Sequence, residues 1–94
     1  MISSLSSAPV KGLKKIAGHG SQVIKFAKPI SGFKKILITH NGESNFYVRP
    51  MNSRGVATYS LINEIGIYKG TTILPAGTQY LAFEADGDWT YSVS

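Results

Sequence analysis

The sequence predicts an all-β domain, a sandwich of about seven antiparallel strands with a jelly-roll-like course, preceded by a flexible basic N-terminal arm. Three observations lead there. Apolar and polar residues alternate over short runs, as in Phe46-Tyr47-Val48-Arg49 and Trp89-Thr90-Tyr91-Ser92-Val93, which is the period of a half-buried strand. Gly, Pro, Asn and Asp punctuate those runs roughly every ten residues, the spacing of hairpin turns. No segment sustains a helical period.

Each element has its own reason. Residues 1–18 are rich in Ser, Gly, Lys and Ala. The rhythm of Val10, Leu13 and Ile16 would suit a turn or two of helix, but Gly12 and Gly18 each weaken a helix by roughly 1 kcal/mol. This stretch is therefore expected as a loosely held arm, and residues 19–94 as the folded domain. Residues 23–26 read as a strand stopped at Pro29, which disfavours helix in the residue before it, and residues 29–32 as a turn. Residues 34–40 are rich in β-branched side chains and end in Asn41-Gly42, a tight-turn signal. Residues 45–49 place Phe46 and Val48 on one face and Tyr47 and Arg49 on the other. Pro50, having no N–H, ends the pairing or marks an edge.

Residues 51–55 form a polar loop. Residues 56–62 and 67–74 are predicted strands on either side of Leu61-Ile62-Asn63-Glu64-Ile65-Gly66-Ile67-Tyr68-Lys69-Gly70. The chain is expected to bend at Gly66, since Gly accepts φ > 0, and to turn again near Gly70. Pro75-Ala76-Gly77 turns the chain once more. Residues 79–85 align Leu81, Phe83 and Ala85, and Asp86-Gly87-Asp88 turns into a last strand whose Trp89, Tyr91 and Val93 share a face.

Ninety-four residues make one domain with one core. The chain has no Cys, which excludes disulfides, thiolate metal ligands and a Cys nucleophile. No run approaches the ~18 consecutive apolar residues of a membrane-spanning helix. Residues 1–7 lack both the charged and the long apolar region of a signal peptide. The net charge of +5 is unevenly spread: residues 1–35 hold seven Lys and no acid, whereas Arg49, Arg54 and Lys69 face Glu43, Glu64, Glu84, Asp86 and Asp88 in the remainder. A basic arm suits nucleic acid or an anionic membrane surface. Because the lysines are not interleaved with Arg or stacking aromatics, solvated side chains are expected rather than a nucleic-acid groove.

Five blocks carry a family resemblance: Gly18-His19-Gly20-Ser21-Gln22-Val23, Thr39-His40-Asn41-Gly42, Ser44-Asn45-Phe46-Tyr47-Val48, the segment from Leu61 to Gly70, and Glu84-Ala85-Asp86-Gly87-Asp88-Trp89-Thr90. Together they resemble a family of small bacterial β-sandwich accessory domains with a THxGxSNF, LxNEIGxYxG and ADGxWT pattern. The resemblance implies a non-catalytic sandwich, carried as a terminal module on secreted, lipid-anchored or membrane-tethered proteins. It implies a cell-surface or secreted location and no defined activity.

Candidate site residues follow. Ser44, His40 and Asp86 have the residue types of a catalytic triad, yet no nucleophile-elbow motif accompanies them, so no catalytic role is assigned. His19 and His40 match no zinc-ligand spacing and are expected at the surface. Glu64, Asp86 and Asp88 are weak calcium candidates; otherwise no cofactor is expected. Asn45 and Asn63 are expected to tie loops to the core, Gly66 to hold the bend and Trp89 to fill the core beside Phe46 and Phe83. Tyr47, Arg49, Tyr59, Tyr68 and Tyr80 are the outward binding candidates, because Tyr gives amphipathic contact area at low entropic cost. The expected function is a non-enzymatic binding module that contacts a protein, or a glycan, through a sheet face and loops. A phage or mobile-element protein acting on a host factor falls in the same class. The alternatives are nucleic-acid or anionic-surface binding through the N-terminal lysines and a calcium-dependent accessory domain.

Overall fold

The computed structural model describes residues 8–57 and 60–94. Among these the chain is all-β, with nine strands: β1 (Val10–Lys11), β2 (Ile16–His19), β3 (Gln22–Phe26), β4 (Lys34–Asn41), β5 (Asn45–Met51), β6 (Ile62–Ile65), β7 (Tyr68–Leu74), β8 (Tyr80–Glu84) and β9 (Asp88–Val93). They form two sheets, in the orders β1-β3-β8-β5-β6 and β2-β9-β4-β7. Every pairing is antiparallel except β1 with β3. From β2 to β9 the strands swap between the two sheets as in a jelly roll, and β1 is an added edge.

The alternation read from the sequence fills the space between the sheets. Ile24 and Phe26 of β3, Ile36 and Ile38 of β4, Phe46 and Val48 of β5, Leu81 and Phe83 of β8, and Trp89, Tyr91 and Val93 of β9 are all buried. Trp89 lies flat on Phe83 with ring centroids 3.7 Å apart, and Phe46 stands 6.4 Å from Phe83. The Trp89 indole N–H donates to the Gly20 carbonyl at 2.8 Å, so the largest core side chain leaves no buried donor unpaired.

Two strands arise where the arm was expected. Val10–Lys11 pairs with β3 and Ile16–His19 with β9, so the boundary at residue 18 moves back to about residue 10; residues 1–7 lie outside the described residues. The glycines that argue against a helix explain the pairing. Gly18 lies over the Trp89 ring, where a Cβ would collide with the indole. The Gly12 carbonyl accepts the Tyr91 hydroxyl at 2.8 Å, and burial pushes that phenol up from its ordinary pKa.

Three further elements differ from expectation. The strand predicted at 56–62 is instead Ile62–Ile65, because the Asn52 side chain accepts from the N–H groups of Arg54 and Val56 and holds the preceding segment as a loop. Gly70 makes no turn: it sits within β7 opposite Ile38, and the Tyr68 hydroxyl occupies the space a Cβ would need. Pro50 lies inside β5, opposite Leu81, beyond the last β5–β6 pair of Val48 with Ile62, where its missing N–H leaves no partner wanting. Gly66 bends the chain with φ +85° as expected.

Candidate functional site

Antiparallel strands sort their connections to two ends of the sandwich, and the sequence loads those ends with opposite charge. The turns after β2, β4, β6 and β8 lie at one end; the loops after β1, β3, β5 and β7 lie at the other. All five acids (Glu43, Glu64, Glu84, Asp86 and Asp88) fall in or within two residues of the first set. Lys11, Lys14, Lys15, Lys28, Lys34, Lys35 and Arg54 fall in or beside the second, with no Asp or Glu among them. The eight residues of β4 separate these ends by roughly 25 Å. What reads as a basic segment in the sequence becomes a basic end in space.

The acidic end is a knot of turns built from the motif blocks. His40 follows Ile36 and Ile38 on the inward face of β4 and is 2% exposed, which overturns its expected surface position. Its ring stacks on Phe46 at 4.2 Å, and its Nδ1–H donates to the Gly66 carbonyl at 2.7 Å. Nε2 faces Asp86 Oδ1 at 3.4 Å and has no hydrogen-bond partner. Asp86 Oδ2 accepts the backbone N–H groups of Glu43 and Ser44, each at 3.1 Å. The Glu43 bond, with the Ser44 bond and the His40 charge behind it, holds the Asp86 carboxyl below its usual value against a smaller opposing effect of desolvation. The Gly66 N–H donates to the Ser44 carbonyl at 2.9 Å, and the Gly20 N–H to the Gly87 carbonyl at 3.0 Å. Gly87 seats the two hairpin turns so closely that a Cβ there would lie 2.8 Å from the Gly42 Cα.

This geometry brings Ser44, His40 and Asp86 together without assembling a triad. Both imidazole nitrogens are turned away from Ser44, one to the Gly66 carbonyl and one to Asp86, so His40 is not placed to accept a serine proton. The Nδ1–H of His40 ties the β6–β7 bend to β4, and Asp86 ties the β4–β5 turn to the β8–β9 turn. His19 pairs with Asp88 at 2.6 Å on the surface, where such a pair contributes ~0–1 kcal/mol. No group of three or more His, Asp or Glu able to hold a metal ion occurs among the described residues, and Glu64, Asp86 and Asp88 do not converge on one.

The tyrosine face is only partly as expected. Tyr47 is half-buried and Arg49 exposed on the outer face of β5. Tyr80 is 6% exposed, with the Lys25 ammonium 5.8 Å above its ring, and therefore offers little free surface. Tyr68 packs against the core beside Phe46. Tyr59 lies outside the described residues. Asn45 and Asn63 are exposed on β5 and β6, and among the described residues neither amide bonds a loop; His40, Asp86, Asn52 and Trp89 make those ties.

The basic end carries what a charge count alone misses. Phe33 is 74% exposed at the end of the β3–β4 loop, between Gly32 (φ +70°) and the first residue of β4, and Leu13 is 44% exposed in the neighbouring β1–β2 loop. Between these loops a cavity of about 590 Å³ opens onto Leu13, Phe26, Ile30 and Val93. Lys11, Lys14, Lys28 and Lys34 stand around it, and no Asp or Glu side chain lines it. The signals were present as the spacing of the lysines and the unpatterned Phe33, but only the topology shows that they meet. Comparison with protein-family models, with curated proteins and with solved structures returned no match.

Proposed function

We propose that this protein is a non-enzymatic docking module whose basic end seats on an anionic lipid surface. The observation that carries the reading is the exposure of Phe33 and Leu13 at the end of the sandwich that collects the lysines and holds no Asp or Glu. A lysine near an anionic leaflet contributes ~1 kcal/mol, and an apolar side chain that enters the interface adds the contact that charge alone lacks. Six lysines with one arginine, Arg54, and a single projecting aromatic are poorly matched to stacked bases, which favours lipid over nucleic acid. The likeness of the motif blocks to accessory sandwich domains agrees with a binding rather than a catalytic role.

The test is co-sedimentation with vesicles of phosphatidylcholine alone and of phosphatidylcholine with one-third phosphatidylserine. Binding should need the anionic lipid, weaken steeply with salt, and fall more than tenfold in the double variant Phe33→Asp, Lys35→Glu. Binding that ignores phosphatidylserine, or a double variant that binds like the parent, would remove the proposal. A salt-sensitive nanomolar complex with DNA or RNA would replace it.

A protein partner is the second reading, and its own observation is at the opposite end. Ile65 and Ile67, on either side of the Gly66 bend, are 74% and 79% exposed among the acidic turns. If that corner is a protein contact, Ile67→Asp should abolish capture of a partner while leaving vesicle binding unchanged.

A further inference from the structure

We infer that the cavity at the basic end is a binding site for a single-chain anionic amphiphile, its alkyl tail between the sheets and its head among the lysines. The inference rests on the reading of the basic end as the lipid-facing surface, and it adds a stoichiometric ligand to that surface. Three observations carry it. The cavity, at about 590 Å³, lies within the roughly 300–1,000 Å³ of small-molecule sites. Its floor reaches the core: Phe26, Ile30 and Val93, each at most 7% exposed, line it together with the half-exposed Leu13, so a ligand's apolar part would meet apolar side chains there. The charged side chains around its mouth, Lys11, Lys14, Lys28 and Lys34, are all cationic.

Lys11 and Lys14 approach from the β1–β2 side, and Lys28 and Lys34 from the β3–β4 side. An ammonium group is a mobile point charge on a flexible stem, suited to a head group that sits at a mouth rather than in a fixed fork. A cationic or zwitterionic amphiphile of equal length would gain the same apolar contact but not the charge term. One acyl chain alone gives only marginal membrane attachment, whereas a chain together with a polybasic patch gives stable attachment. Here the patch belongs to the protein and the chain would come from the ligand.

The experiment is an amide NMR titration of the full chain, without vesicles, with sodium decanoate below its micelle concentration. Decyl phosphate is run beside it to tell a carboxylate head from a phosphate head, and decyltrimethylammonium and decyl maltoside serve as controls. Shifts should saturate and concentrate on residues 11–14, 26–31 and 93. Affinity should rise roughly fourfold for each methylene added to the chain and exceed that of the cationic control at least tenfold. Ala27→Trp, which places a large side chain at the cavity from an exposed position, should weaken decanoate at least tenfold; Lys14→Glu, Lys28→Glu should do so without touching the apolar walls. Equal affinity for anionic and cationic amphiphiles would overturn the inference, as would an Ala27→Trp variant that binds like the parent. Binding that appears only when residues 1–7 are removed would overturn it as well, since the cavity would then be occupied by the chain's own beginning. Vesicle binding with no decanoate shifts removes the cavity site alone; decanoate shifts without vesicle binding remove the docking surface alone.

Discussion

Replacing His40 with Ala tests whether the acidic-end knot is held by this buried ring. The substitution removes three things at once: a ring 2% exposed, a stack on Phe46 at 4.2 Å, and a 2.7 Å hydrogen bond to the Gly66 carbonyl. The stack is worth ~0.5–1.5 kcal/mol, the hydrogen bond ~0.5–1.5 kcal/mol, and the cavity left beside Phe46 adds ~1–2 kcal/mol. The total is about 2–5 kcal/mol, against the ~5–14 kcal/mol that holds a domain of this length. At ~4–8 °C per kcal/mol, the melting temperature should fall by about 8–40 °C. His40→Phe restores the ring and the stack but leaves the Gly66 carbonyl without its donor, so it should lie between the two, about 1–3 kcal/mol below the parent. Urea denaturation read by Trp89 fluorescence measures both variants. A loss under about 1 kcal/mol for His40→Ala, or a His40→Phe variant no better than His40→Ala, would refute this account of the ring.

Other expectations follow from both ends of the molecule. Gly87→Ala should cost about 2–3 kcal/mol in urea, because its Cβ meets the backbone of Asn41 and Gly42. Gly77→Ala should cost only about 1 kcal/mol of backbone strain, since open space surrounds it and only its φ of +86° opposes a side chain. The lowered carboxyl of Asp86 stabilises the fold above the unfolded value of 3.8, and that contribution is lost as pH falls through the still lower folded pKa. The gap in urea midpoint between the parent and Asp86→Asn should therefore be flat above about pH 5 and shrink steadily in more acid solution. Tyr91→Phe leaves the Gly12 carbonyl without its 2.8 Å donor and should cost about 1–2 kcal/mol while the core aromatics keep their places.

Much of this was legible in the sequence, and the misses have physical causes. Period-two alternation placed Phe46, Val48, Phe83, Trp89 and Tyr91 in the core. The same alternation, carried from Ile36 and Ile38 two residues further, puts His40 inside; the polar ring, which more often lies at the surface, masks that signal. Strands β1 and β2 were obscured because Gly12 and Gly18 look like breakers until Tyr91 and Trp89, more than 70 residues away, are seen to need the space they leave. Tyr80 reads as outward by its period and points to the outer face, but Lys25 on the neighbouring strand covers it. The basic end was half legible. Charge asymmetry along the chain was plain, whereas its conversion into polarity along the strands depends on which loops share an end, and that is fixed only by the strand order.

That strand order also sets when the molecule can fold. The central strands of the two sheets are the last in chain order: β8 lies between β3 and β5, and β9 between β2 and β4. Until residues 80–93 leave the ribosome, β2 and β3 have no antiparallel neighbour, and only the short parallel β1–β3 pair and the β4–β7 and β5–β6 pairs are available to an emerging chain. Most of the contacts join residues far apart in sequence, the condition under which folding is slow, with times from milliseconds to seconds. The nascent chain therefore displays the inner sides of Ile24, Phe26, Ile36 and Phe46 to its surroundings for as long as synthesis lasts. In the cell, the interval between making Lys34 and making Val93 is the period of greatest exposure to aggregation, and speeding translation of the last two strands would shorten it.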